Sequence, residues 1–378
     1  MAHIGVVVAA VMIFLLTPVF AADPGITDTG LKIGMVNVQT GSASGLGKGM
    51  AAGIRAVFDE VNTKGGINGR KIDLVVGDDG YEPNKAVDET LRLIESEKIF
   101  AFIGFVGTPT GNAIKPVLAE YKVPGIGFFT GAMSLRSPVT REIINIRASY
   151  DDEADRFVGA FVDAGLRKIA VFYQDDSFGT AVLSGTGKAL KKRGLEVAAK
   201  GTFQRNTVAV ESGLAAVSAA NPDALVLVGP YAPLAVFVQK ARQSGLNVPM
   251  ATVSFVGTDS FISAAGAAGE GVIISQVVPS PHDPSVKVVA ECAALLKGEK
   301  LGYVNLEGCI TAKAMVLALE RAGKEVTRER LIEIFEGMKG VDLGGVSLTF
   351  GADDHQGSDS VFLTRVQGGK AAPVTGLK

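Results

Sequence analysis

Residues 62–79 read Asn-Thr-Lys-Gly-Gly-Ile-Asn-Gly-Arg-Lys-Ile-Asp-Leu-Val-Val-Gly-Asp-Asp, and they confine the chain to few folds because they specify three structural events in order. An amphipathic helix over 51–61 stops at a double glycine, a tight Ile67-Asn68-Gly69 turn reverses the chain, and a strand then delivers two carboxylates at its C-terminal end. Gly65 can take the left-handed conformation that ends a helix, and Asn68-Gly69 supplies the positive φ angles of a short turn. Asp78 and Asp79 stand just ahead of a helix beginning near Pro83, so capping of exposed N–H groups is their expected role.

The same alternation of strand and helix runs along the whole chain. Segments rich in Val, Ile and Phe at 31–38, 71–76, 100–103 and 125–128 alternate with helical periodicity at 48–62, 83–97 and 110–121. After Arg147 a second run begins, with helices at 152–164, 180–193, 208–219 and 234–244 and strands at 168–173, 195–200, 224–228, 250–253 and 272–276. This is the pattern of βαβ units, and it predicts an α/β chain with two doubly wound parallel sheets. Three helices follow closely, at 285–297, 304–322 and 327–338, before a β pair formed by 346–350 and 360–366.

The N-terminal apolar run from Ile4 to Leu16 is short for a membrane span, and Val19-Phe20-Ala21 offers small or modest residues at a cleavage site. The expectation is a signal peptide over 1–21, cut after Ala21, with no lipid anchor because no Cys follows the run. No other apolar stretch approaches the roughly 18 residues of a spanning helix, so the mature chain is expected to be soluble. It is long enough for about two domains. With 37 basic and 39 acidic residues the formal charge is −2, which leaves no electrostatic footprint for nucleic acid or an anionic membrane.

Catalytic patterns are thin. Thr40-Gly41-Ser42-Ala43-Ser44-Gly45-Leu46-Gly47 opens a helix after the first strand and matches the pyrophosphate loop of short-chain NAD(P)-dependent dehydrogenases, and Tyr81 with Lys85 forms a Tyr-x-x-x-Lys. That pair comes before a fourth strand can form, however, and Asn68 stands where those enzymes need a Ser. A cytosolic cofactor would also be out of place behind a signal peptide. His282 and His355 are isolated, and neither Gly-x-Ser-x-Gly in a strand-to-helix setting nor Cys-x-x-Cys occurs, so no enzyme chemistry, metal or cofactor is expected.

The 62–79 segment and the order of elements resemble the extracellular solute-binding proteins of the leucine/isoleucine/valine-binding type, which feed ABC importers. The resemblance covers nearly all of the mature chain. It implies a type I periplasmic binding protein, with lobes of 22–147 plus 279–357 and 148–278 plus 358–378 joined by a hinge crossed near Arg147, Val278 and Gly357. It further implies a periplasmic monomer, a small-molecule ligand between the lobes, and an inner-membrane permease that recognises the closed form. A sensor ectodomain of the same fold is the non-transport alternative.

Ligand positions carry over residue by residue. In Ile103-Gly104-Phe105-Val106-Gly107-Thr108-Pro109-Thr110, Thr108 matches the hydroxyl residue that holds a ligand carboxylate, and a helix N-terminus favours that charge. The same Thr can also serve simply as a cap. Phe129, Thr130 and Gly131 fall on the next such loop, where Gly131 replaces a hydroxyl residue and Thr130 is placed to substitute for it. Leu46 and Tyr231 match bulky or aromatic walls, Phe178 matches an aromatic lid and Tyr150 lies at the first hinge crossing; buried aromatics are usually core, but loops after strands are where open α/β sheets place ligands. Ser254 is the departure, since it matches the acid that neutralises the α-ammonium group of branched-chain amino acids. The family ranks a branched-chain or hydrophobic amino acid first, and Ser254 brings a non-amino, aromatic or apolar carboxylic acid close behind. An amino acid would need another acid, for which Asp175, Asp176 and Asp259 are the nearest by loop position.

Cys292 and Cys309 lie on consecutive helices, about equally far from the loop that joins them. If those helices are antiparallel the thiols sit at equal height, and an oxidising periplasm makes a disulfide the expectation, with two separately buried thiols the alternative.

Overall fold

Among residues 23–377, which a computed structural model describes, the turn at 65–70 is built as its sequence requires. The Gly66 amide donates to the Val61 carbonyl at 2.9 Å and the Gly65 amide to Asn62 at 3.2 Å, a Schellman closure of helix α1 (Ser44–Thr63). Gly66 has φ +79°, and a Cβ there would lie 2.0 Å from the Arg70 carbonyl oxygen. Asn68 and Gly69, at φ 53° and 85°, fold Arg70 back onto Ile67, and strand β2 (Lys71–Asp78) starts at once. The apolar run from Ile4 and the cleavage position at Ala21 lie outside the described residues.

β2 runs parallel to β1 (Gly30–Asn37) in a register that pairs Asn37 with Asp78, so both strands finish at one edge. The two aspartates do not cap α2 (Pro83–Glu95), which starts without a side-chain cap. Asp78 accepts from the amides of Gln39 at 2.8 Å and Gly80 at 3.0 Å and from the Thr40 hydroxyl at 2.6 Å, while Asp79 accepts from the Tyr81 amide at 2.7 Å. Amides two residues on, and those of the loop after β1, satisfy these carboxylates before the first turn of α2 comes within reach. The first sheet, in the order β2-β1-β3-β4-β5, is completed by β3 (Ala101–Ile103), β4 (Gly125–Ile126) and β5 (Ile143–Ile144), with α3 (Thr108–Tyr121) between β3 and β4. All of its pairings are parallel.

The second sheet takes up β6 (Ile169–Gln174), β7 (Lys200–Phe203), β8 (Ala224–Val228), β9 (Met250–Thr252) and β10 (Ile273–Gln276), which pair in parallel. Helices α4 (Tyr150–Asp163), α5 (Ser177–Lys191), α6 (Glu211–Ala219), α7 (Tyr231–Gln243) and α8 (Thr258–Ala265) alternate with them. β7 begins at Lys200, not Leu195, and Gly201 lets α6 approach: a Cβ there would meet the Gly213 carbonyl oxygen at 2.2 Å.

Helices α9 (Lys287–Leu295), α10 (Tyr303–Ala322) and α11 (Arg328–Glu336) follow, and α9 and α10 pack on α1. The closeness of α1 and α10 depends on glycine, since a Cβ at Gly53 would lie 1.9 Å from the Asn305 carbonyl oxygen. Cys292 and Cys309 are joined by a disulfide that ties α9 to α10.

The expected β pair of 346–350 with 360–366 does not form. β12 (Ser347–Leu348) pairs with β11 (Val341–Asp342), and β13 (Phe362–Gln367) lies antiparallel between β10 and β14 (Lys370–Val374). Each segment has a nearer partner across a glycine pair with positive φ, Gly344-Gly345 in one case and Gly368-Gly369 in the other. The chain thus passes from the first sheet to the second between β5 and α4, and returns to the second sheet at β13 after α9 to α11.

Candidate functional site

The loops that follow the strands of the first sheet meet those that follow the strands of the second, and the residues between them are buried. α3 starts after Gly107, whose φ is +104° and whose Cβ would lie 2.3 Å from the Tyr81 ring. Thr108 opens the helix but does not cap it. Its Oγ1 lies 2.6 Å from that of Thr130, and both residues are fully buried. The first bonded amide in this turn is that of Gly111, donating to Gly107 at 3.1 Å, so the amides of Thr108 and Thr110 precede the helical ladder. Hydroxyls and amides converging at the positive end of a helix dipole suit an anion.

Gly131 has no room for a side chain, because a Cβ would lie 2.6 Å from both the amide and the ring of Tyr150. Its carbonyl accepts from the Tyr150 amide at 2.7 Å. The Phe129 amide donates to Phe105 at 2.7 Å and its carbonyl accepts from Gly107 at 3.2 Å, so what Phe129 presents is its ring. Arg136 holds this loop by donating to the carbonyls of Thr130, Ala132 and Arg147, each at 3.1 Å. Burial, with Arg147 nearby, lowers the Arg136 guanidinium to about 10.

The aromatic wall is contributed from both sides. Phe178 lies 5.5 Å from Tyr150 and 4.5 Å from Phe255, which in turn lies 5.5 Å from Phe129 and 6.1 Å from Tyr81. Burial raises the Tyr150 hydroxyl to about 12, against the opposing pull of Arg147. Leu46 packs against Gly257, where a Cβ would come within 2.5 Å of it, and the Gly45 amide donates to the Tyr231 hydroxyl at 3.2 Å across the cleft. At the rim Arg205 bridges Glu82 at 3.0 Å and Asp176 at 3.2 Å and Asn206 donates to Glu82 at 2.7 Å, while deeper in Gln174 donates to the Tyr81 hydroxyl at 3.3 Å.

Beneath these rings lies a charged cluster. The Arg147 side chain is 1% exposed, bonds Glu153 at 2.9 Å and Ser254 through Nη2, and reaches Glu307 at 3.4 Å through Nη1. The Phe129 and Tyr150 rings lie 5.1 and 6.0 Å from the guanidinium carbon. Glu153 also accepts from the Ser254 amide at 2.7 Å, the Ser254 hydroxyl at 3.0 Å and the Ser275 hydroxyl at 2.6 Å. Burial raises the Glu307 carboxyl to about 7, with the Arg147 charge pulling it down and the Glu153 charge adding to the rise.

The acids expected by loop position do not reach Ser254. Asp176 caps α5 by accepting from the Phe178 amide at 2.9 Å, Asp175 accepts from Gln204 at 3.3 Å, and Asp259 accepts from the Tyr303 amide at 3.1 Å. Asp176 is held by its own helix start, Asp175 and Asp259 by donors from after β7 and from the start of α10, and the acid beside Ser254 is Glu153 from the first turn of α4. Arg147, Glu153, Glu307, Tyr81 and Phe255 are therefore cleft residues that sequence reasoning missed. Tyr81 and Phe255 follow β2 and β9, where the rule used for Phe178 and Tyr231 would have found them.

The model of a family described as periplasmic binding protein matches residues 30–371. The Leu/Ile/Val-binding protein homolog 7 of Brucella abortus is 27% identical over 310 residues, covering 77% of each chain. A crystal structure described as a possible leucine/isoleucine/valine-binding protein from Rhodopirellula baltica is similar at TM-score 0.88 and 31% identity, covering 94% of this chain and 98% of that one. A fatty acid ABC transporter substrate-binding protein from Thermomonospora curvata is similar at TM-score 0.82 and 26% identity, covering 94% and 93%.

Proposed function

The chain belongs to the periplasmic binding protein family, and from that premise we propose that it captures a small carboxylate-bearing solute with an apolar body between its lobes and delivers it to an ABC importer. The observation that carries this reading is the buried Thr108–Thr130 hydroxyl pair at the start of α3, set under aromatic rings contributed from both sides of the cleft. Solute bridges the lobes, the open–closed equilibrium shifts, and the permease recognises the closed form of the monomer. The contacts of Tyr231 with Gly45 and of Arg205 with Glu82 support such closure, because each exists only when the lobes meet.

Two ligand classes fit. The name of the Brucella relative supports a branched-chain or other hydrophobic amino acid, and that of the Thermomonospora protein supports an acid without an amine. One observation favours the second class: the acid beside Ser254 is already engaged by Arg147, Ser254 and Ser275. An ammonium group would be held poorly there, since a buried charge without a partner costs several kcal/mol. Calorimetric titration with leucine, valine and phenylalanine, their deaminated acids and benzoate tests the proposal. Binding of at least one of these is expected, and silence across the panel contradicts it.

A further inference from the structure

The charged cluster presents a donor where an amino-acid site presents an acceptor. Ser254 offers only a hydroxyl, and the Glu153 oxygens behind it are occupied by Arg147, Ser254 and Ser275. Bonded to them is the Arg147 guanidinium, whose Nε is buried without a hydrogen-bond partner among the described residues. The Tyr150 hydroxyl, on a ring centred 6.0 Å from the guanidinium carbon, is also buried, and the Thr130 side chain is a polar group that approaches it. Buried donors are nearly always satisfied, so the orphaned guanidinium N–H calls for an acceptor. Glu307 does not fill that role, since its contact with Arg147 is at 3.4 Å and made through Nη1.

We propose that Arg147 is a ligand-contacting residue that selects apolar 2-oxo or 2-hydroxy acids, by hydrogen-bonding the oxygen that these carry where an amino acid carries its ammonium group. The carboxylate takes the Thr108–Thr130 end, the neighbouring oxygen faces Arg147 and Tyr150, and the apolar tail lies among Phe178, Phe255 and Leu46. An ammonium group at the same carbon would meet a cation instead of an anion. A guanidinium locked by Glu153 and set against the Phe129 ring is pre-organised for this contact.

This inference rests on the reading of the cleft as a carboxylate-solute site, and its test separates the two. Calorimetry on the full mature chain would compare 4-methyl-2-oxopentanoate, leucine and 4-methylpentanoate, which share one carbon skeleton and differ only at the second carbon. The oxo acid is expected to bind at least about 10-fold more tightly than either of the others, the factor a good hydrogen bond to a charged group contributes. In Arg147→Lys, which keeps the charge for Glu153, the ratio of oxo acid to 4-methylpentanoate should fall at least about threefold. A structural role alone would weaken both acids together and leave that ratio unchanged. If Arg147→Lys does not fold, the wild-type ratios decide. Leucine binding as tightly as its oxo acid, or 4-methylpentanoate equalling the oxo acid, overturns the inference and leaves the carboxylate-site reading standing. Silence of all three together with the wider acid panel overturns both.

Discussion

Replacing Glu153 by Gln should destabilise the protein by about 2–3 kcal/mol, because it removes the anion that neutralises a buried guanidinium. In the wild type one carboxylate oxygen faces the Ser254 amide at 2.7 Å and the Ser275 hydroxyl at 2.6 Å, while the other faces Arg147 at 2.9 Å and the Ser254 hydroxyl at 3.0 Å. A glutamine can keep the first pair with its oxygen, but its NH2 then points at Arg147. Breaking a buried pair from one side costs about 3–5 kcal/mol, and Glu307 at 3.4 Å offsets part of that by giving up its proton to become the counterion. In Glu153→Gln/Arg147→Met the NH2 no longer faces a cation and can donate to the Ser254 hydroxyl, so most of the loss should be recovered. The double-mutant cycle should therefore return a coupling of at least about 1.5 kcal/mol. Equilibrium urea unfolding followed by far-ultraviolet circular dichroism is the assay, since the chain has no Trp to report by fluorescence. A Glu153→Gln loss below about 0.5 kcal/mol, or a coupling near zero, would refute this account of the cluster.

Stability should also depend on pH through Glu307, whose folded value of about 7 lies above its ordinary 4.5. The contribution of a carboxyl raised in this way is complete below its unfolded value and is lost as pH rises through 7, so the stability difference between wild type and Glu307→Gln should fall by roughly 2 kcal/mol from pH 5 to pH 8, and a flat difference in urea titrations would count against it. Reduction of the Cys292–Cys309 bond, which spans a sequence separation of 17, should lower stability by about 3 kcal/mol, measured as the urea midpoint with and without dithiothreitol; an unchanged midpoint would mean that the bond constrains nothing. Arg205→Ala removes a half-exposed bridge to Glu82 and should weaken solute affinity by no more than about fivefold at low salt and less at high salt, so a calorimetric loss that is independent of salt would contradict the rim contact.

The lobes were legible because βαβ units write themselves as alternating periods, and because signals such as Gly65-Gly66 and Asn68-Gly69 admit few conformations. β5 was not legible, since two residues carry no period. The β13–β14 hairpin was less legible although Gly368-Gly369 marks its turn, because β14 reads Lys-Ala-Ala-Pro-Val, in which Ala and Pro carry little strand propensity. In the cleft, residues after strands could be found by position, whereas the charged cluster could not. Arg147 comes from the passage between the sheets, Glu153 from α4 and Glu307 from α10, and no local spacing links them. Glu153 also sits in a first turn beside Asp151 and Asp152, where an acid reads as a helix-dipole partner, and it is Asp152 that completes the capping box with Ser149.

The claim on which the account depends is that solute closes the two lobes upon each other. Small-angle scattering on the purified protein, with and without a saturating amount of whichever acid in the panel binds most tightly, measures this directly. A smaller radius of gyration in the presence of the acid is the predicted result, and an unchanged radius despite calorimetrically proven binding would contradict closure.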